Sequence, residues 1–220
     1  MPMRSDERLA QKIATNILSD YPVDSILDIG CGDGVVSKHL PSNTSYLGLD
    51  INEACIYEKS ENNPLIRYIN PEAIPDLVSS EGPWDMILLF DVLEHTTDFT
   101  GLFKLALHSS NKYIAVSLPN ELFILDRLRM LAGKELNAHS LDLVNQPDGF
   151  KHQYIINIEK AKSILEKIGI QEGFQLENEF VRPIIPKNRL IRPLAHFVQL
   201  ISNEQLWSQG SVFIFSKANT

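Results

Sequence analysis

Apolar positions along this chain follow two rhythms that alternate with each other. Short dense runs occupy residues 26–29, 47–49, 84–90, 113–118, 174–181 and 211–215, with a weaker one at 67–69. Several of these carry Val, Ile, Phe or Tyr, as strands buried on both faces do. Between them lie stretches whose apolar residues recur every three or four positions. Leu9, Ile13, Ile17 and Leu18 give that spacing over 5–20, with Ser5 as a fair N-cap and Tyr21-Pro22 as the stop. Ala161, Ile164, Leu165 and Ile168 give it over 158–168. Further helices are expected to start at 35–40 and to cover 52–60, 102–108, 121–131 and 189–201, the last with Pro193 early enough to be tolerated or to kink it. The run at 84–90 is the strongest, so it belongs at the centre of a sheet. Strands that alternate with helices imply right-handed crossovers and a parallel α/β sheet, with ligands outside the carboxyl ends of its strands.

The alternation breaks once. Pro119 stops the fifth strand, and residues 133–149 are polar and irregular after the 121–131 helix. Residues 120–150 therefore read as an insert capping a single domain that spans 1–220. Loops laid over a rigid sheet commonly carry specificity. There is no internal repeat and no low-complexity segment.

The chain's 220 residues suit one such domain, and the formal net charge is −8. Without a long basic stripe, tight binding to bulk nucleic acid is disfavoured. Cys31 and Cys55 are too few for a disulfide framework. No apolar stretch approaches the roughly 18 residues of a membrane span, and residues 1–6 lack a secretory apolar core. A reducing, cytoplasmic setting is the expectation.

Candidate chemistry begins where the first strand ends. Asp28, Ile29, Gly30, Cys31, Gly32, Asp33 and Gly34 run from a buried strand into a glycine-rich turn. Glycine accepts positive φ and lets main chain approach a ligand closely. The following helix start would point free N–H groups at that ligand. A dinucleotide fingerprint needs a third glycine for close helix packing, and Val35 stands in its place. The second strand ends in Asp50, suited to the two hydroxyls of a ribose, or alternatively to capping the helix that follows.

Three segments carry a family resemblance. Residues 27–34 (Leu-Asp-Ile-Gly-Cys-Gly-Asp-Gly) resemble motif I of the class I S-adenosylmethionine-dependent methyltransferases. Leu49-Asp50-Ile51 resembles their acidic second motif, and residues 90–95 (Phe-Asp-Val-Leu-Glu-His) their fourth-strand signature. The resemblance implies a Rossmann-like, doubly wound, seven-stranded sheet, mostly parallel with its last strand antiparallel, and S-adenosylmethionine as cofactor. It also implies site roles. Gly30, Cys31, Gly32 and Gly34 would face the methionine part of the cofactor through main chain. Asp28 would orient the turn or reach the amino group through water. Asp50 would take the ribose, Ile51 would pack on adenine, and Asn70 would meet the adenine amine or serve as a turn residue before Pro71. Phe90 and Asp91 would lie near the sulfonium, where Asp91 either faces its charge or stabilises the turn.

His95 and His152 are the candidate catalytic pair for removing a hydroxyl proton, with structural bridging as the alternative. A second possibility lies in Asp91, Glu94, His95 and His152. Some small-RNA 2′-O-methyltransferases and quinone-pathway O-methyltransferases carry a similar Glu-x-x-Glu-His with a distant histidine that binds a divalent ion. Here Asp91 stands in place of the first glutamate.

Pro119-Asn120, Arg127, Gly133, Asp148 and His152 together resemble methyltransferases that accompany glycosyltransferases. A small-molecule or glycan hydroxyl is thus the expected acceptor. Arg182, Lys187, Arg189 and Arg192 either meet a phosphate-bearing acceptor or form a solvated face, and residues 187–201 can also lie on a membrane surface. A cofactor-binding scaffold without turnover is the non-enzymatic alternative.

Overall fold

A computed structural model of the chain describes residues 20–52, 66–146, 149–183 and 206–218. Seven strands form one sheet in the order β3-β2-β1-β4-β5-β7-β6. They are β1 Ser25–Ile29, β2 Ser45–Asp50, β3 Ile66–Tyr68, β4 Trp84–Phe90, β5 Ser110–Pro119, β6 Phe174–Pro183 and β7 Ser208–Lys217. β1 to β5 pair in parallel, whereas β7 runs antiparallel between β5 and β6. The expected seven-stranded sheet with an antiparallel last strand is the one observed.

The two-residue period of the strands divides the core. Leu27, Ile29, Ile87, Leu89, Ile114, Val116, Phe213 and Phe215 point to one face. The helices α2 (Phe99–Ser109) and α4 (Ile158–Gln171) cover that face with Phe103, Leu107, Ala161 and Leu165. Ile26, Tyr46, Met86, Leu88, Ala115, Val212 and Ile214 point to the other. Asp28 lies two residues from Ile26 in β1, so the same alternation turns it into that second layer.

Two further helices are short. α1 (Ile74–Glu81) precedes β4, and α3 (Ile124–Leu131) lies in the insert. The helix expected to begin at 35–40 is a 3₁₀ turn, Val35–His39, entered from Gly34 in the left-handed conformation. The helix expected over 121–131 begins only at Ile124. Asn120 and Glu121 are spent on other partners: the Asn120 amide donates to the Ser208 carbonyl, and Glu121 accepts from the main chain of Ile156. The third strand sits one residue earlier than its hydrophobic signal, because Ile66 is the buried member and Tyr68 is exposed. The helices expected over 5–20, 52–60 and 189–201 fall outside the described residues, apart from the end residues Asp20 and Asn52. Among the described residues no helix is long and apolar enough to cross a membrane.

Candidate active site

The glycine turn is tied to the neighbouring strand. The N–H groups of Gly30 and Cys31 both donate to the Leu49 carbonyl, at 2.7 and 3.1 Å. This holds the ends of β1 and β2 together, and the crevice in which α/β sheets take a ligand lies outside such strand ends. Gly30 has φ +77°, and a Cβ there would stand 2.3 Å from Val92 Cγ2. Gly32 has φ +54°, but a Cβ there would meet nothing within 4 Å. One glycine is needed for close packing, whereas the other borders open space of the kind a ligand fills. The Cys31 side chain turns away from that space. Its sulfur packs toward Gly48, and burial raises its thiol pKa, so it presents only main chain to the crevice.

Asp50 closes the crevice on the β2 side. Its Oδ2 accepts from Gly32 N and its Oδ1 from Asn52 N, both at 2.7 Å. A carboxylate can accept about four hydrogen bonds, so each oxygen keeps capacity for one hydroxyl. The Gly32 N–H, in contrast, is already spent on Asp50 and is not the free donor that the turn's sequence suggested. Ile51 is half-buried, and Gly149, at the far end of the insert, lies against its Cδ1. Asn70 is exposed at the end of β3, where its side-chain oxygen accepts from Glu72 N and caps the 3₁₀ turn Pro71–Ala73. Its oxygen therefore does the turn work that stood as the alternative to meeting adenine.

Asp28 lies beneath the turn and is only 2% exposed. Tyr46 Oη donates to its Oδ2 at 2.8 Å. Gly48 makes that bond possible, since a Cβ there would sit 3.1 Å from Tyr46 Oη and 2.6 Å from Cys31 Sγ. Burial pushes the Asp28 carboxyl up to about 7, the Tyr46 bond opposes this, and the charge of Asp50 adds to it. A carboxyl with a raised folded pKa favours the fold while protonated. That contribution is complete below pH 4 and is lost as pH rises through 7. The isosteric Asp28→Asn variant is expected to remove this dependence. Chemical denaturation at pH 5 and pH 8 should show wild type losing on the order of a few kcal/mol relative to the variant. A difference that stays constant with pH would place the Asp28 charge in solvent.

Beyond β4 the chain turns at Asp91, which has φ +50°. Its carboxylate accepts from Ser117 Oγ at 2.5 Å and from Arg182 Nη1 at 3.0 and 3.2 Å, and Arg182 also reaches Ser117 Oγ at 2.9 Å. The charge of Asp91 is thus balanced from β6. Arg182 is the one member of the basic cluster among the described residues, and Lys187, Arg189 and Arg192 lie outside them. Phe90 is half-buried beside this pair.

Glu94, His95 and His152 converge, with one potential ligand atom of each within 4.8 Å of the others. Glu94 is 1% exposed, and its Oε2 has no hydrogen-bond partner. Burial, reinforced by the charge of Asp91, raises its carboxyl well above the usual range. The two imidazoles meet edge to face with centroids 4.5 Å apart.

Their ring protons are fixed by their partners. His95 Nδ1 lies 3.2 Å from the Lys151 carbonyl, which can only accept, so Nδ1 carries the proton and Nε2 the lone pair. Burial and the neighbouring His152 hold the His95 pKa below its ordinary value. His152 Nδ1 lies 2.9 Å from Glu121 Oε1, and His139 Nε2 approaches the same oxygen at 2.9 Å. Burial alone would raise the Glu121 carboxyl. The hydrogen bonds from His152 and Ile156 and the attraction of the two imidazoles outweigh it, and Glu121 is held below the usual range. With its ring neutral, His152 donates Nδ1–H to Glu121 and keeps its Nε2 lone pair. Glu121 and His139 carried no chemical signal in the sequence. They follow β5 and lie within the insert, outside any local motif.

The chain matches a family model described as a methyltransferase domain over residues 3–171, more than half its length. A SAM-dependent methyltransferase from Archaeoglobus fulgidus is 18% identical, with 96% of this chain and 94% of that one covered at a TM-score of 0.62. The methyltransferase domain of the bacterial protein CtHen1-C is 12% identical, with 97% and 99% covered at a TM-score of 0.65. Magnesium protoporphyrin IX methyltransferase from Synechocystis PCC 6803 with bound SAH is 14% identical, with 97% and 84% covered at 0.59. No curated protein matches the sequence.

Proposed function

We propose that this chain, which belongs to the methyltransferase-domain family and is an S-adenosylmethionine-dependent enzyme, methylates a hydroxyl on a small-molecule or glycan acceptor held beneath the 120–150 insert. The open face of Gly32, the unspent capacity of Asp50 and the apolar side of Ile51 suit the amino-acid, ribose and adenine parts of that cofactor in order. When bound, the cofactor supplies a methyl group on a cationic sulfur. The protein's share is to hold the acceptor in line, exclude water and accept the hydroxyl proton. The observation that carries the reading is the pair of Nδ1 contacts, His95 to the Lys151 carbonyl and His152 to Glu121 Oε1, which leave Nε2 as the accepting atom of each neutral ring. His95 Nε2 takes the proton of the reacting hydroxyl, and His152 Nε2, a second acceptor beside it, receives a hydrogen bond from a neighbouring hydroxyl of a catechol or a sugar diol. Isothermal titration with S-adenosylhomocysteine and with NAD tests the cofactor. Binding NAD alone would overturn the reading. Transfer of labelled methyl from S-adenosylmethionine to catechols, quinols and methyl glycosides tests the acceptor class.

One observation favours a second reading, in which a divalent cation assists the same transfer. Glu94, a buried carboxyl with an orphaned oxygen, and the two imidazoles each bring one donor atom within 4.8 Å of the others. Both histidines also have the outer partner that metal-bound histidines use, a carbonyl for His95 and a carboxylate for His152. Glu94, His95 and His152 would hold the ion, and its charge would acidify the acceptor hydroxyl. Asp91, the fourth ligand suggested by the sequence, is engaged by Arg182 and Ser117 instead. EDTA separates the readings. Turnover that disappears and returns with Mg²⁺ or Mn²⁺ supports the cation, whereas full turnover in EDTA leaves the histidines acting alone.

A further inference from the structure

We infer that Glu121 is a positioning residue that sets the ring tautomer of His152, so that its Nε2 lone pair rather than an N–H group faces the acceptor; this rests on the hydroxyl-methylation reading. Glu121 is 6% exposed, yet it receives three hydrogen bonds. His139 Nε2 and His152 Nδ1 both meet Oε1 at 2.9 Å, and Ile156 N donates to Oε2 at 2.9 Å. The Glu121 amide itself donates to the Ile156 carbonyl at 3.1 Å, so the residue is fixed at both main chain and side chain. The group of Glu121, His139 and His152 needs no cation, because N–H···O bonds already account for its closeness.

The three bonds impose a chemical requirement. The Ile156 N–H is a donor under all conditions, so Oε2 must accept. Oε1 faces two ring nitrogens on the opposite side. With the carboxylate accepting on both sides, both ring nitrogens are donors and a neutral His152 has a bare Nε2. His139 shares Oε1 and comes from the 3₁₀ turn Asn137–His139, and the His152 amide donates to the Ala138 carbonyl at 3.2 Å. The same carboxylate thereby fastens the insert to the end of β5 while it aims His152.

The Glu121→Gln variant tests this sharply. An amide has one accepting side. With its oxygen kept toward Ile156 N, its NH₂ group faces the histidines and His152 Nδ1 must become the acceptor. The His152 ring proton then moves to Nε2, where it blocks the lone pair. The measurement is long-range ¹H–¹⁵N NMR of histidine-labelled protein, free of ligand. Expected are an Nδ1–H tautomer of His152 in the wild type and an Nε2–H tautomer in E121Q. A wild-type ring protonated at Nε2 overturns the inference, as does E121Q that keeps Nδ1–H. Because the wild-type spectrum decides by itself, a variant that fails to fold does not rescue the idea.

Turnover supplies a second readout on whichever catechol, quinol or methyl glycoside the wild type methylates. E121Q is expected to lower kcat by roughly 10- to 100-fold, as loss of a histidine's outer partner does, with KM within about twofold. A rise in KM at unchanged kcat overturns the positioning role. The two readings fail separately. A tautomer change without any hydroxyl methylation in the wild type removes the proposed acceptor chemistry and leaves the Glu121–His152 linkage standing.

Discussion

Asp50→Ala is expected to weaken S-adenosylhomocysteine binding by about 3 kcal/mol, roughly 100-fold in Kd, in isothermal titration. The size follows from two hydroxyls hydrogen-bonded to one carboxylate, since bonds to a charged group contribute about 1.5–3 kcal/mol each. A second loss points the same way. The carboxylate already accepts from Gly32 N and Asn52 N, so its removal frees two main-chain donors and loosens the turn that borders the open space. Thermal melting separates the contributions. Those two bonds lie in a half-buried region and should cost the fold only about 1 kcal/mol, well short of the loss in binding. Unchanged affinity would remove Asp50 from the site and leave the turn without a ligand.

His95→Ala is expected to reduce kcat by about 10²- to 10⁴-fold, the usual range for a general base, on any hydroxyl acceptor that the wild type methylates. Cofactor affinity should stay within about twofold, because the His95 ring bonds to the Lys151 carbonyl and not to the glycine turn. The pH profile gives the signature of the role. Burial first, and repulsion from His152 second, hold the His95 pKa below its ordinary 6.5. The neutral, proton-accepting ring therefore persists further into acid than that of a free histidine. Activity should fall only as pH drops through the depressed value, so the acid limb of kcat lies below 6.5. An acid limb at or above 6.5, or a His95→Ala enzyme with full kcat, would assign the proton to another group.

Much of this architecture was legible along the chain for a local reason. A two-residue or a three-to-four-residue period is visible in any short window, and so is a run of glycines at a strand end. β4 was read at its observed bounds, and the ends of β1 and β2 bring Gly30, Gly32 and Asp50 together as their order suggested. Local reading missed wherever a distant partner competes for a residue. The 121–131 helix lost its first turn to Ser208 and Ile156, and Asp91 is paired with an arginine 91 positions away. Asn70 shows the opposite case, a cap two residues from its partner that the Asn-Pro pair already signals.

The sequence alone determined a parallel α/β sheet, a glycine turn closed by an acid, and two histidines worth watching, because each is written in neighbouring residues. Only the tertiary structure decided what those histidines can do. Glu94 and His95 follow β4, Glu121 follows β5, His139 ends the 3₁₀ turn Asn137–His139 and His152 precedes α4, and they meet only because these segments pack together. Which ring nitrogen holds a proton depends on the atom facing it, a carbonyl in one case and a carboxylate in the other. That is a property of packing between segments, and no local pattern encodes it.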